Sequence, residues 1–185
     1  TDFIPTKWKM VTNYEKLIDL LDDHTVTFLS GHNHINGILE YAPGVTEHNV
    51  AAICGTWWET YYCTDGTPRG YKVFTKEDGK LSWYYKSVGK DKDFQYEVYK
   101  PGMTKNNPDC VVLNVWDYDS EWKLEWFEDG KAMGQMKQVL DFSPNHAAEL
   151  DAVYAGTGSE PGSGRTPLGR FSIYSKHGEN APQST

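Results

Sequence analysis

Two Asp-Gly dipeptides, Asp78-Gly79 and Asp129-Gly130, each sit between short runs that mix apolar and polar residues. Asp-Gly suits the tight two-residue turn that joins antiparallel strands. "GYKVFT" and "KLSWYYKS" flank the first dipeptide, and "WKLEWFE" and "KAMGQMKQV" flank the second. Trp122, Leu124 and Trp126 alternate with Lys123 and Glu125, the period-two pattern of a half-buried strand. "GILEYA", "NVAAICGTWW", "DFQYEVYKPG", "CVVLNVWDYD" and "RFSIYSKH" read as further strands, with "PGVTEH" as a turn and "MTKNNPDC" as a loop. The chain is therefore expected to be mainly β. Its aromatic content of 14% is read as strand packing, because such residues suit a pleated, half-buried surface. Trp116, Trp122 and Trp126 are expected in the core, with Met133 and Met136 filling gaps.

One helix is expected, near the start. "TNYEKLIDLLDDH" places Tyr14, Leu17, Ile18 and Leu21 at helical spacing, with Thr12 or Asn13 as N-cap and Glu15 in the first turn. "TVTFLS" follows as a short buried strand that delivers the chain to Gly31. "SPNHAAELDAVYAG" reads as a short helix or an irregular excursion, "GTGSEPGSGRTPLG" as a flexible loop and "GENAPQST" as a frayed tail.

The 185 residues suffice for one domain or two small ones. A boundary is expected in "SVGKDKD", dividing the chain into residues 1–89 and 90–185, or as early as residue 58. The net charge of −8 and the lack of basic clusters argue against a grip on nucleic acid. No run approaches the roughly 20 apolar residues of a membrane span. Cys54, Cys63 and Cys110 are an odd set without zinc-site spacing, and are expected to be buried free thiols. The chain opens "TDFIPTKWKM", with neither an initiator Met nor an apolar signal core, and is expected to be a piece of a longer one.

The stretch that carries chemistry is "FLSGHNHINGI". In an extended segment, residues i and i+2 share a face, which sets His32 and His34 side by side, roughly 7 Å apart along the backbone. That suits two metal ions about 3.5–4 Å apart, one imidazole on each. Gly31 lets the backbone approach closely. Taken alone, H-x-H is met more often as a surface pair than as a ligand pair. Candidate substrate contacts are His48, Arg69, whose planar fork suits phosphate, and one of the neighbours Trp57 and Trp58. In a strand those two tryptophans face opposite sides, so one is expected in the core and the other, with Trp58 the candidate, at a cleft. Arg69 also reads as an arginine lying on aromatic rings. Asp117, Asp119 and Glu121 have alternating carboxylates, but without the glycine and glutamate offsets of a calcium loop they read as a charged turn. His146 and His177 show no partner in the sequence.

A helix, a short apolar strand, S-G-H-N-H and then returning strands resemble the last motif of the calcineurin-like metallophosphoesterases. "HNVAAICGTWWE", "CTDGTPRGYKVF" and "DGKLSWYYKSVG" are similar to the stretch that follows it in one bacterial branch. "VVLNVWDYDSEWKLEWFEDGKAMGQM" and "RTPLGRFSIYS" are similar to the additional C-terminal β domain of that branch. The resemblance implies the remnant of an α/β metallophosphoesterase sandwich followed by an antiparallel β-sandwich. It implies that His32 and His34 each bind one of two divalent ions, such as manganese, iron or zinc, and that the parent chain hydrolyses phosphate esters. It also implies export from a bacterial cell. The family's D-x-H, G-D, G-N-H and further histidine motifs lie upstream of such a pair, and this sequence has no Gly-Asp and no Gly-Asn dipeptide. The expected partner is therefore a catalytic half from the same chain. Without it this piece is expected to hold no metal firmly, to be inactive, and to expose an apolar face and an unpaired strand edge that favour dimers. The alternatives from other classes are a carbohydrate-binding β-sandwich and a purely structural accessory domain.

Overall fold

The computed structural model describes residues 12–21, 23–157 and 168–174, the last as backbone. Residues 1–11, Asp22, most of the Gly/Ser/Pro-rich loop before Leu168, His177 and the C-terminal tail lie outside the described residues. The chain runs α1 (Tyr14–Asp19), β1 (Val26–Ser30), β2 (Gly37–Ala42), β3 (Val45–Asn49), β4 (Gly70–Glu77), β5 (Lys80–Ser87), β6 (Tyr96–Tyr99) and β7 (Cys110–Val115). It continues with β8 (Glu125–Glu128), β9 (Lys131–Gln135), β10 (Lys137–Asp141), α2 (Pro144–Tyr154) and β11 (Leu168–Tyr174). The fold is mainly β, in four small sheets ordered β1-β3-β2, β4-β5, β10-β11-β7-β6 and β8-β9. All pairings are antiparallel except β1 with β3.

Both Asp-Gly hairpins form where expected. Asp78 and Gly79 have φ of 47° and 79°, and Asp129 and Gly130 have 49° and 78°. Positive φ at both central residues matches the twist of the flanking strands. Two other expectations are corrected. "VTEHN" is strand β3 and not part of a turn, because Pro43-Gly44 alone reverses the chain, with Gly44 at φ 80°. "NVAAICGTWW" is not a strand past Asn49: residues 53–59 form a turn.

Helix α1 is shorter than the periodicity suggests. Asn13 occupies the cap in a left-handed conformation, without a side-chain cap bond, and no α1 residue is buried. Strand β1 is at the sheet edge, paired only with β3, so it alternates half-buried and exposed residues instead of being buried. Leu29 is 60% and Leu20 77% exposed on these elements. Helix α2 settles its ambiguous segment as a helix, the second among the described residues. Ser143 is its N-cap, accepting from the His146 N–H, and Pro144 fills the first turn, where a missing N–H costs nothing.

The core is centred on β7, whose first five residues are all buried. Its two faces serve different clusters, as strand alternation requires. Val111 and Leu113 pack with Met136, Leu124 and Trp126, while Cys110 and Val112 pack with Tyr99. Trp116 joins Ala51, Cys63 and Tyr85, and its indole N–H donates to the Phe94 carbonyl at 2.8 Å. Trp122 is 45% exposed, because β8 begins only at Glu125 and the preceding residues leave the sheet. Cys63 and Cys110 are buried and Cys54 half-buried, all as free thiols.

A buried ion pair crosses these sheets. Lys72 Nζ of β4 lies 2.5 Å from Asp117 Oδ1, just past β7, with both side chains almost fully enclosed. Lys72 also donates to His48 Nδ1 of β3 at 3.3 Å and to the Gly37 carbonyl at 3.5 Å. Burial pushes the Asp117 carboxyl up and the Lys72 ammonium down, each opposed by the other's charge. Replacing Lys72 with Met is expected to cost about 3–5 kcal/mol of unfolding free energy in urea melts, since it strands a buried carboxylate.

His48 is 2% exposed, edge-on to Phe74 and Trp83 with ring centroids 5.2 and 4.5 Å away. Burial first, then the Lys72 charge, lowers its pKa from 6.5 to about 4. The folded state therefore refuses a proton that the unfolded chain accepts. The His48 contribution is intact above pH 6.5 and is lost as pH falls from there toward about 4. Stability is expected to drop through that window by up to about 1.4 kcal/mol per pH unit, with a shallower slope in His48→Gln, as read from denaturant midpoints.

Candidate functional site

Strand β1 ends at Ser30, and Gly31 follows with Val50 O 3.7 Å from where its Cβ would stand. The next residues are not extended, which corrects the geometry read from i, i+2 alternation. His32 has φ 81° and His34 φ 54°, both left-handed. Histidine tolerates that region better than most side chains do. His32 is exposed and His34 half-buried.

What holds His34 is the 53–59 turn. The His34 Nδ1 lies 2.8 Å from the Gly55 carbonyl, which is an acceptor only, so Nδ1 carries the proton and donates. In neutral imidazole this leaves Nε2 with its lone pair, the state a metal ligand requires. Trp57 stacks on the ring, with centroids 4.5 Å apart and planes 22° from parallel. Cys54 Sγ sits 3.9 Å from Nδ1.

The backbone after His34 is fastened by a second loop. Thr64 donates to the His34 carbonyl through both its N–H, at 3.2 Å, and its hydroxyl, at 3.0 Å. Asp65 is buried, and its carboxylate accepts from the Asn36 N–H at 2.8 Å and from the Thr67 N–H and hydroxyl at 2.9 and 2.8 Å. The Asn114 amide of β7 donates to the Gly66 carbonyl at 2.9 Å, anchoring this loop to the central strand.

Among the described residues, four of the eight non-glycine residues with positive φ, His32, His34, Trp57 and Trp58, lie on these facing segments. A bulky side chain there is a rare conformer that costs on the order of 1 kcal/mol or more and persists where surroundings impose it. Trp57 is 57% and Trp58 74% exposed. The expectation that one of them is core is thus corrected: a left-handed turn presents both to solvent.

The other candidates separate from the pair. His48 is a core group rather than one open to a substrate, walled by Phe74 and Trp83. Arg69 is half-buried with its guanidinium 5.4 Å from the Tyr61 ring centre. Asp117 is ion-paired with Lys72, and Asp119 accepts from the Glu121 N–H at 2.9 Å, as in a simple Asx turn. His146 has a partner after all: its Nε2 is 3.0 Å from Thr56 Oγ1.

A metal centre needs more donors than this. Among the described residues, no group of three or more His, Cys, Asp or Glu side chains is placed to hold an ion. Two imidazoles alone do not fit a dinuclear centre, and no step through such a centre follows from this chain's residues.

The geometry defines a mainly β module that presents a histidine pair and a tryptophan pair beside an edge strand. A family model described as the C terminal of calcineurin-like phosphoesterase matches residues 47–169, about two thirds of the chain. The chain therefore belongs to that family of phosphoesterase C-terminal domains. His32 and His34 lie before the matched residues, whereas the turn carrying Gly55 and Trp57 lies within them. No curated protein and no solved structure matches the chain.

Gly55 and Asp65 were hidden from sequence reasoning as parts of the site, and Trp57 was read only as one of two neighbours, one in the core and the other at a cleft. The available signal was Gly55 inside an apolar run, which marks a bend or a close backbone approach. A Cβ on Gly55 would stand 2.2 Å from the Thr60 carbonyl oxygen, at φ 60°. Asp65→Ala is expected to lower unfolding free energy by about 2 kcal/mol or more, because it strands the Asn36 and Thr67 donors. Chemical denaturation measures the loss, and a change under about 0.5 kcal/mol would show that the Asp65 clamp carries little.

Proposed function

We propose that this chain is the C-terminal part of a metal-dependent phosphoesterase and completes its dinuclear centre with His32 and His34. The observation that carries the reading is the His34 imidazole, proton on Nδ1 against Gly55 and Nε2 left as a lone-pair donor. The carboxylates and remaining histidines come from a catalytic part that precedes this one in the parent chain. Two divalent ions such as manganese, iron or zinc, bound there, would polarise the phosphoryl group and make hydroxide available near neutral pH. This chain's own residues hold the His34 imidazole in place and shape one wall of the cleft. Trp58 is the candidate substrate contact that stays open to solvent. Arg69 is the weaker candidate, since its guanidinium lies over Tyr61.

The edge of β1, with exposed Leu17, Leu20 and Leu29 nearby in the chain, is assigned to the same preceding part, whose sheet would continue across it. In its absence that edge favours association of copies of this chain. The residues past about 90 act as a scaffold that braces the cleft wall. Export from a bacterial cell remains part of the proposal on resemblance alone. The exposed tryptophans also suit the carbohydrate-binding alternative, which a saturable change in tryptophan fluorescence with soluble glycans would favour.

The test is turnover of a phosphate ester with manganese by this chain and by the longer parent. The parent is expected to be active and this chain silent. In the parent, His34→Ala is expected to lower turnover by about a hundredfold or more, since even loss of a group that merely orients a ligand costs about 10–100-fold. Turnover by this chain alone would overturn the division of labour.

A further inference from the structure

Helix α2 is far from the histidine pair in sequence, yet one of its faces grips the turn behind His34. His146, fully buried, meets the buried Thr56 hydroxyl, 90 residues away, at 3.0 Å. Glu149, one helical turn on, accepts from the Tyr61 N–H at 2.7 Å. Asn145 donates to Glu97 at 2.6 Å and to the Tyr62 hydroxyl at 3.2 Å, and the Tyr62 hydroxyl itself donates to Glu97 at 2.8 Å. Residues i, i+3 and i+4 share a helix face, so these contacts form one continuous clamp on residues 56–62.

Thr56 is where the clamp meets the strained turn. Its N–H and hydroxyl both lie 3.0 Å from the Tyr62 carbonyl, closing the turn on itself. The residue before it supplies the carbonyl that accepts from the His34 Nδ1–H, and the residue after it supplies the ring stacked on His34. Trp57 and Trp58 hold unfavourable left-handed conformations, with φ of 48° and 67°. Such strain needs an outside restraint to persist.

We propose that His146 and Thr56 are positioning residues for His34: by clamping the 53–59 turn, α2 fixes the imidazole in its Nδ1–H tautomer, leaving the lone pair on Nε2. The inference deepens the phosphoesterase reading and rests on it for the use of that nitrogen, while the clamp itself is a property of this chain. It gives the C-terminal helix a specific task in the cleft wall, beyond adding bulk to the domain.

The experiment is nitrogen-resolved NMR of the histidine rings in this chain without metal, which reads the tautomer of each ring directly. His34 is expected as the Nδ1–H form alone. Thr56→Val removes the hydroxyl and keeps the shape, and is expected to release His34 into a mixture of both tautomers. Thr56→Ser restores the hydroxyl and is expected to restore the single form, and His146→Leu is expected to act like Thr56→Val. The buried His48 ring reports in the same spectrum whether the fold persists. If His146→Leu fails to fold, Thr56→Val carries the test, since it exchanges a hydroxyl for a methyl. A mixture in the unaltered chain, or an unchanged His34 in a folded Thr56→Val, overturns the proposal. A fixed tautomer in a parent that shows no phosphoesterase activity would leave the clamp standing and remove the hydrolase reading.

Discussion

One buried charge pair organises the molecule. Lys72 from the β4-β5 hairpin and Asp117 from the end of the central strand β7 meet at 2.5 Å, with His48 of β3 as the third contact. With its amide oriented so that both ends are satisfied, Asn36 donates to the Asn49 carbonyl at 3.2 Å and accepts from the Asp117 N–H at 3.0 Å. Three of the small sheets thus converge on one polar knot. Apolar packing is non-directional, so four small sheets have many ways to bury their faces. A charge in low dielectric tolerates only the arrangement that pairs it. The pair is better understood as what selects the arrangement than as a source of net stability, because taking two ions out of water cancels much of their attraction.

The candidate site inherits its geometry from that arrangement. The loop of Thr64 and Asp65, which fastens the His34–Asn36 backbone, is itself tied to β7 through Asn114. The turn carrying Gly55 and Trp57 is held from the other side by α2. His34 follows the N-terminal sheet, but its ring is held by the Gly55 carbonyl, on a turn that His146 of α2 contacts. The His34 imidazole is thus prepared by this chain, and under the proposed function the carboxylates that would share ions with it come from elsewhere in the parent.

The hairpins were legible because their cause is local. Asp-Gly needs nothing beyond its own backbone preference to turn, and both examples do so with the expected positive φ. The apolar run "CVVLNV" was likewise legible as a strand, and strand geometry alone sorts its residues onto two faces. "NVAAICGTWW" misled for the opposite reason. Its composition favours a strand, and the left-handed tryptophans are sustained by contacts from Tyr62 and His146 that no local pattern announces. The histidine pair was legible as a motif and not as a geometry. Alternation assumed an extended backbone, while Thr64 and Asp65 hold the segment in a tight bend.

Sequence by itself determined the mainly β character, the two hairpins and the resemblance to the phosphoesterase family, because turn preference and strand alternation are encoded within a few adjacent residues. Tertiary structure alone decided that His48 is a core group, that both neighbouring tryptophans face solvent and that His34 keeps its proton on Nδ1. Those outcomes depend on burial and on hydrogen-bond partners distant in the chain, and a side chain's exposure and protonation are properties of its surroundings rather than of its letter.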